Sequence, residues 1–150
     1  MAQTLVRLYV HIIFSTKHRQ RIILEKDEPQ LFAYIGGIMN NNESKLLAAG
    51  GDADHVHLLS SMSKKIGLSE LVGDVKRDSS SWIKTLDRHY SRFHWQDGYG
   101  AFSVGHTQLN QVKRYIARQK EHHAKVSFKD EFRYFLKKYG VDYDERFIWD

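Results

Sequence analysis

The sequence contains no cysteine and only one proline, Pro29. Without cysteine the chain can form neither a disulfide framework nor a cysteine-ligated zinc site, and it offers no thiolate nucleophile. A bound metal ion would therefore need ligands from histidine, carboxylate, amide or main-chain oxygen groups. The single proline excludes a proline-rich linker. These absences are typical of a globular protein in a reducing compartment, and we expect a cytoplasmic location.

Long hydrophobic runs are also absent. The N-terminal segment TLVRLYVHIIFS is rich in apolar residues, but Arg7 and His11 interrupt it, and no small-residue cleavage site follows. We therefore expect neither a membrane span nor a secretory signal. The composition, with 41% hydrophobic and 13% aromatic residues among 150, is sufficient for a single folded domain over residues 1–150.

Positive charge exceeds negative charge. The chain carries 23 Lys and Arg residues against 18 Asp and Glu, which gives a formal net charge of +5 and a pI near 9.4. Basic side chains placed against phosphates release counterions from nucleic acid, so this balance favours a polyanionic partner.

The hydrophobic periodicity predicts an alternation of strands and helices. Residues 4–15 alternate apolar and polar side chains as a half-buried strand does, and residues 28–42 repeat apolar side chains at helical spacing. The segments KLLAAGGDA and HVHLLSSM predict two strands paired as a hairpin, with a bend or bulge at Gly50-Gly51. An amphipathic helix of about twenty residues begins at Leu68, and AFSVG predicts a short strand.

Two further helices complete the predicted fold. One begins near Thr107, whose hydroxyl is a candidate cap, and continues through QLNQVKRYIARQKEHHA. The other opens on a capping box at Ser127 and ends at Gly140, while Asp27 is a candidate cap of the first helix. The resulting order of elements is that of an α+β fold, a ferredoxin-like antiparallel sheet with helices on one face and additional C-terminal helices.

Two histidines lie at the start of the predicted third strand. Because side chains alternate along a strand, His55 and His57 share one face, roughly 6 to 7 Å apart, and both imidazoles can reach one cation. Two ligands are too few for a divalent ion, and the adjacent Asp54 is the nearest candidate for a third. The alternative is that the two histidines are solvent-exposed polar residues without a metal. So short a motif is a weak signal on its own, and this alternative therefore stays open.

A second group of polar residues lies on the predicted third helix. Tyr115 and Gln119 are one helical turn apart and border its apolar stripe, so both would meet the histidines if this helix packs on the open face of the sheet. A tyrosine in this position can equally be an ordinary packing residue. Further along, His122 and His123 are candidates for a base or for surface residues, and His11 for the same face of the sheet or for a structural role.

Three segments together resemble a known family. DHVHLL at 54–59, WQDGY at 95–99 and VKRYI at 112–116 with Gln119 occur in the order and spacing of the HUH single-tyrosine transposases of bacterial insertion sequences. That group includes transposases associated with repetitive extragenic palindromes. The resemblance extends over nearly the whole chain, from YVHIIF to YDER, and the motifs in combination are far more specific than any one of them.

The resemblance implies an HUH endonuclease fold with an additional tyrosine-bearing helix, and a transposase that acts on single-stranded DNA. By this resemblance, Tyr115 is the nucleophile that forms a 5′-phosphotyrosine link, and His55, His57 and Gln119 bind Mg²⁺ or Mn²⁺. It also implies DNA hairpins as partners, and a homodimer whose active sites combine the histidines of one subunit with the tyrosine helix of the other.

Basic residues near these motifs are candidate DNA contacts. They are Lys17, Arg19, Arg21, Lys76, Arg77, Lys113, Arg114 and Arg118. Two other interpretations stay open on the residues alone. A non-catalytic module could bind single strands by stacking bases on Tyr9 and neighbouring aromatics, whereas a small metal hydrolase or iron enzyme could use Asp54 as a carboxylate ligand.

Overall fold

In the computed structural model, which describes residues 2–150, the chain forms a four-stranded antiparallel sheet. The strands are β1 (Tyr9–Ser15), β2 (Lys45–Asp52), β3 (His55–Ser61) and β4 (Gly100–Val104), in the spatial order β2-β3-β1-β4. The periodicity predicted that β1 begins at residue 4, but in the structure it begins at Tyr9. Tyr9 pairs with Ser61 and Val104, the last residues of both neighbouring strands, so the preceding residues have no ladder to join.

Helices cover both faces of the sheet. Within residues 2–150 the α-helices are α1 (Glu28–Asn41), α2 (Leu68–Ile83), α3 (Leu109–Ala117), α4 (Gln119–His123) and α5 (Phe128–Lys138). α1 and α2 pack on one face, and the C-terminal helices α3 to α5 pack on the other. The predicted α+β, ferredoxin-like fold class is confirmed. None of the helices in the described part of the chain is long and apolar enough to cross a membrane.

Strand alternation divides the core between the two faces. Ile12, Phe14 and Leu58 lie on the face that α1 and α2 cover, in the larger apolar cluster. The next residues along each strand point the opposite way, so His55 and His57 face the C-terminal helices, as the alternation predicted. The histidines are therefore covered by helices and do not decorate a solvated surface, since both side chains are fully buried.

Two helices end earlier than the hydrophobic pattern predicted. α2 stops at Ile83, where the hydroxyl of Thr85 donates a hydrogen bond of 2.6 Å to the carbonyl of Trp82 and the chain turns. The predicted third helix is interrupted at Arg118, whose main-chain N–H bonds the carbonyl of Tyr115, three residues back, at 3.2 Å. Short i to i+3 bonds of this kind tighten a helix end, and they separate α3 from α4.

Of the three side-chain caps predicted from the sequence, one is present in the structure. Ser127 caps α5, because its hydroxyl accepts the N–H of Asp130 at 3.2 Å. Thr107 does not cap α3, because it lies within a 3₁₀ turn that precedes the helix. The carboxylate of Asp27 does not cap α1 either, since it accepts a 2.6 Å hydrogen bond from the hydroxyl of Tyr90.

Candidate active site

The two histidines of β3 present the same ring atom to the C-terminal helices. His55 uses its Nδ1 atom in a 2.7 Å contact with the carboxylate of Asp54, and His57 uses its Nδ1 in a 2.8 Å contact with Nε2 of His11. Both Nε2 atoms are left facing inward, toward α4 and α5. A metal-ligating histidine is usually held in this way, by a hydrogen bond at its other ring nitrogen.

The proposed third ligand joins the histidines. Gln119 is 1% exposed, and its amide oxygen lies 2.9 Å from Nε2 of His55. The structure therefore brings together the three residues that were predicted to bind a metal, although Gln119 is 64 positions from His55 in the sequence. Asp54, the local alternative for a third ligand, contacts the opposite nitrogen of His55 and so orients that ring from outside.

A carboxylate that was not predicted from the sequence lies at the centre of the site. Glu131 of α5 is 1% exposed. Its Oε1 atom is 2.8 Å from Nε2 of His57 and 2.9 Å from Nε2 of His123, and its Oε2 accepts the amide N–H of Gln119 at 3.1 Å. The sequence does carry a signal for it. Glu131 falls on the apolar stripe of α5, among Phe128, Phe132, Phe135 and Leu136, where a charged residue is out of place.

Tyr115 is held against this carboxylate. Its hydroxyl donates a hydrogen bond to Oε2 of Glu131 and lies 3.4 Å from Nε2 of His122. The ring contacts the side of His57, with centroids 5.8 Å apart, and that of Phe135, 5.7 Å apart. The tyrosine helix thus lies against the histidines of its own chain.

A glycine in β2 allows α3 to come this close. Gly50 pairs with His57 in the sheet, and a Cβ atom at Gly50 would collide with the main-chain carbonyl of Ile116 in α3. The glycine pair predicted a bend or bulge at Gly50 and Gly51, but the register shift of β2 lies between Leu46 and Ala48. Gly50 is therefore needed for a close approach of two backbones, which is another common use of a strand glycine.

All three further histidines considered from the sequence reach the site. His11 is 3% exposed and supports His57, which agrees with the structural role. His122 and His123 face Glu131, with Nε2 atoms 3.2 and 2.9 Å from its carboxylate oxygens. The alternative of a surface role is wrong for His123, because α4 turns it toward α5 after the break at Arg118, whereas the side chain of His122 stays 32% exposed.

The donor atoms fit a divalent cation. Ligands about 2.1 Å from one ion lie about 3 Å apart when adjacent and about 4.2 Å apart when opposite. The donor atoms of His55, His57, His123 and Glu131 all lie within 4.8 Å of one another, and the amide oxygen of Gln119 is next to them. The mixture of imidazole nitrogens with carboxylate and amide oxygens is one that Mn²⁺ accepts readily and Mg²⁺ accepts less readily.

Burial and charge shift the pKa values of the site in opposite directions. Burial lowers the pKa of His57 to about 4 and that of His11 to about 3. Burial alone would raise the pKa of Glu131, but hydrogen bonds from His123 and His57 outweigh it and hold this pKa well below its usual range. Burial, together with the charge of Glu131, raises the pKa of Tyr115. The phenol is therefore neutral and the carboxylate is charged at neutral pH.

These shifts predict a loss of stability in mild acid. His57 and His11 stay neutral in the folded protein down to about pH 4 and 3, whereas in the unfolded chain they take up protons near pH 6.5. Unfolding between pH 6.5 and 4.5 therefore binds protons, so the free energy of unfolding falls as the pH falls. Each such group contributes at most about 1.4 kcal/mol per pH unit.

Urea denaturation in EDTA at pH 7 and pH 5 measures this effect. We expect a decrease of at least about 1 kcal/mol in the free energy of unfolding, because His123, whose pKa is raised despite its burial, acts in the opposite direction and offsets part of it. The difference in the free energy of unfolding between pH 7 and pH 5 should be smaller in His11→Asn. It should be unchanged in His94→Asn, which replaces an exposed histidine. Equal stability at the two pH values would contradict the assignment of neutral, buried rings.

Two of the predicted DNA contacts lie beside the tyrosine. Arg114 and Arg118 are exposed and line a hollow of about 500 Å³ that Tyr115 also borders. Lys113 lies in a separate groove of about 890 Å³, which Tyr9 and the N-terminal segment also line.

The other five predicted contacts lie elsewhere and have partners within the chain. Lys17 lies 3.5 Å from Asp97, Arg19 donates to the carbonyl of Trp149, and Arg21 pairs with Asp52 at 3.1 Å. On α2, behind the sheet, Lys76 donates to the carbonyls of Gln96, Asp97 and Gly98, and Arg77 pairs with Asp74 and Asp78. The structure does not bring these five residues to the tyrosine.

Known proteins resemble this chain in family and in fold. The model of the family described as Transposase IS200 like matches residues 4–119. A candidate transposase from Deinococcus radiodurans R1 superposes with a TM-score of 0.62 at 22% identity, over 79% of this chain and 95% of that one. The REP-associated tyrosine transposase bound to a REP hairpin superposes with a TM-score of 0.61 at 12% identity, over 84% and 74%. No protein of curated function matches. At these identities the two structures establish a shared fold.

Proposed function

The chain belongs to the family of IS200-like transposases, and we propose that it cuts and rejoins single-stranded DNA through Tyr115. One observation carries the proposal: a single chain gathers the hydroxyl of Tyr115, the Nε2 atoms of both strand histidines and the amide of Gln119 around one buried carboxylate. A nucleophile and a set of cation ligands are the two parts that phosphodiester cleavage by a phenol requires.

The proposed reaction exchanges one phosphodiester bond for another. The phenol oxygen of Tyr115 attacks a backbone phosphorus, the bond to the 3′ oxygen breaks, and a 5′-phosphotyrosine and a free 3′-hydroxyl result. The phenol gives up one proton and the leaving oxygen takes one up, so the step balances. Attack of a 3′-hydroxyl on the phosphotyrosine reverses it, and the covalent link conserves the bond energy needed for rejoining.

His55, His57 and Gln119 would hold a Mg²⁺ or Mn²⁺ ion, which supplies charge neutralisation at the non-bridging phosphate oxygens when bound. The chain's own contribution is orientation. Asp54 and His11 fix the two imidazole rings, and the close packing of α3 on β2 fixes the distance between the rings and the phenol. Such fixed geometry accounts for a large part of the rate of many enzymes.

Arg114 and Arg118 are placed to bind the DNA backbone next to the scissile phosphate. Both are exposed beside Tyr115 in the same hollow, and arginine forms strong paired hydrogen bonds to phosphate oxygens. The net charge of +5 supports the same interpretation at longer range.

We also propose that the DNA substrate carries a hairpin. The REP-associated tyrosine transposase, which shares this fold, was solved bound to a REP hairpin. A homodimer with shared active sites stays a prediction from the family resemblance. Because one chain already places Tyr115 beside its own His57, the site geometry does not require exchange of the tyrosine helix.

Formation of a covalent adduct tests the proposed function. Labelled single strands that carry a hairpin, drawn from a randomised library, are incubated with the protein and Mn²⁺ and then denatured in SDS. We expect a labelled band at the mass of the protein with attached DNA, and its loss in EDTA. DNA binding that persists in EDTA, with no adduct under Mg²⁺ or Mn²⁺, would favour a non-catalytic binding module instead.

A further inference from the structure

The family resemblance gives no role to the carboxylate at the centre of the site. Glu131 lies closer to His57 than Gln119 lies to His55, and it contacts the nucleophile as well. It is also isolated from solvent, with 1% of its surface exposed. A buried carboxylate this central needs positive charge beside it, because removing an anion from water is costly.

Two of the cation's proposed ligands face this carboxylate directly. Oε1 of Glu131 lies 2.8 Å from Nε2 of His57 and 3.7 Å from Nε2 of His55. Separations near 3 and 4 Å are those expected between ligand atoms that share one ion at about 2.1 Å. The carboxylate oxygen therefore already occupies the position of a further ligand, and a cation between these atoms would replace the hydrogen that His57 shares with it.

The amide of Gln119 is oriented for the same purpose. Its oxygen faces Nε2 of His55, and its N–H group donates to the other oxygen of Glu131 at 3.1 Å. One residue thus offers an oxygen ligand and at the same time steadies the carboxylate beside it. Nε2 of His123 lies 2.9 Å from Oε1.

We propose that Glu131 is a direct ligand of the divalent cation. The carboxylate now accepts hydrogen bonds from His57, His123, Gln119 and Tyr115. This inference rests on the proposed function, which supplies the cation and the nucleophile.

Metal binding to the DNA-free protein tests the ligand assignment. Mn²⁺ affinity is measured by electron paramagnetic resonance for the wild type, Glu131→Gln and Asp130→Asn. The control removes the same charge from the same helix, but at a side chain that is 69% exposed. We expect Glu131→Gln to lower Mn²⁺ affinity at least about tenfold and Asp130→Asn to change it less than about twofold.

Cobalt absorption separates direct ligation from a charge effect at a distance. Visible spectra of the Co²⁺-loaded wild type and Glu131→Gln are compared at saturating metal. A changed band position or intensity, together with the lower affinity, supports direct coordination. Lower affinity with an unchanged spectrum would overturn it, because the carboxylate would then act only through its charge. Should Glu131→Gln fail to fold, Glu131→Asp, which withdraws the carboxylate, is expected to change the Co²⁺ spectrum in the same assay.

The outcomes distinguish this inference from the proposed function. If Glu131→Gln binds Mn²⁺ like the wild type while His57→Ala does not, Glu131 is not a ligand, and the histidine site and the cleavage reaction are unaffected. If the wild type itself binds neither Mn²⁺ nor Co²⁺, the metal site of the proposed function fails as well, and the adduct assay shows whether cleavage fails with it.

Discussion

Tyr115→Phe is expected to lower the yield of the covalent protein–DNA adduct at least about 10⁴-fold, because the variant lacks the only atom with which this ring can attack phosphorus. The ring itself should stay in place. It packs against His57 and Phe135, and the substitution removes one hydroxyl without changing those contacts. Affinity for the same DNA should therefore change only a few-fold. The measurement is the adduct yield in SDS after incubation with labelled DNA and Mn²⁺, beside a filter-binding titration.

A second tyrosine provides a matched control. Tyr134 lies on α5 and is 58% exposed, so Tyr134→Phe removes a phenol of the same chemistry outside the site. It should form the adduct at the wild-type level. An adduct that survives in Tyr115→Phe would refute the assignment of the nucleophile, and its mass-mapped attachment residue would then identify the residue that acts instead.

Much of the site was predictable because its parts obey short-range periodicities. The two-residue alternation of a strand fixes His55 and His57 on one face. The four-residue turn of a helix does the same for Tyr115 and Gln119, even though the helix breaks at Arg118 between them. The family resemblance then associated the two pairs, and the contact between His55 and Gln119 agrees with that association.

The contribution of α5 was harder to predict, because it depends on long-range packing. Glu131 is 74 residues from His57, and no local spacing relates the two. The one available signal was a charged side chain at a position of the apolar stripe of α5, where it needs a buried partner. His123 has no comparable signal, since the break at Arg118 sets its direction, and helical periodicity assumes an unbroken helix.

The role of Gly50 likewise could not be derived from the strand pattern. A glycine in a predicted strand indicates a bulge or a close approach of another backbone, and the sequence does not distinguish the two. In the structure, the neighbouring backbone is the C-terminal turn of α3, immediately after Tyr115. The distance between the sheet and Tyr115 therefore depends on the absence of one Cβ atom.

Gly50→Ala is accordingly expected to lower both the stability of the protein and the rate of adduct formation. The added Cβ would overlap the carbonyl of Ile116, and a main-chain atom cannot move aside as a flexible side chain can. We expect a loss of roughly 1–3 kcal/mol in the free energy of unfolding, the usual range for overpacking. Because α3 must move outward to relieve the overlap, Tyr115 and Gln119 move with it, and an ångström of misplacement can cost about 10²-fold in rate.

The helical glycine Gly73 is the control for this prediction. A Cβ at Gly73 meets no atom within 4 Å, so Gly73→Ala should leave adduct formation unchanged and raise the stability by up to about 1 kcal/mol, as alanine favours a helix. Urea denaturation gives the stability of each variant, and the adduct assay is run at a temperature where both remain folded. A folded Gly50→Ala protein that forms the adduct at the wild-type rate would show that the close approach of α3 to β2 does not position Tyr115. A loss of adduct formation in the folded variant would instead show an effect on positioning that is separate from stability, since Gly50 is not among the proposed cation ligands.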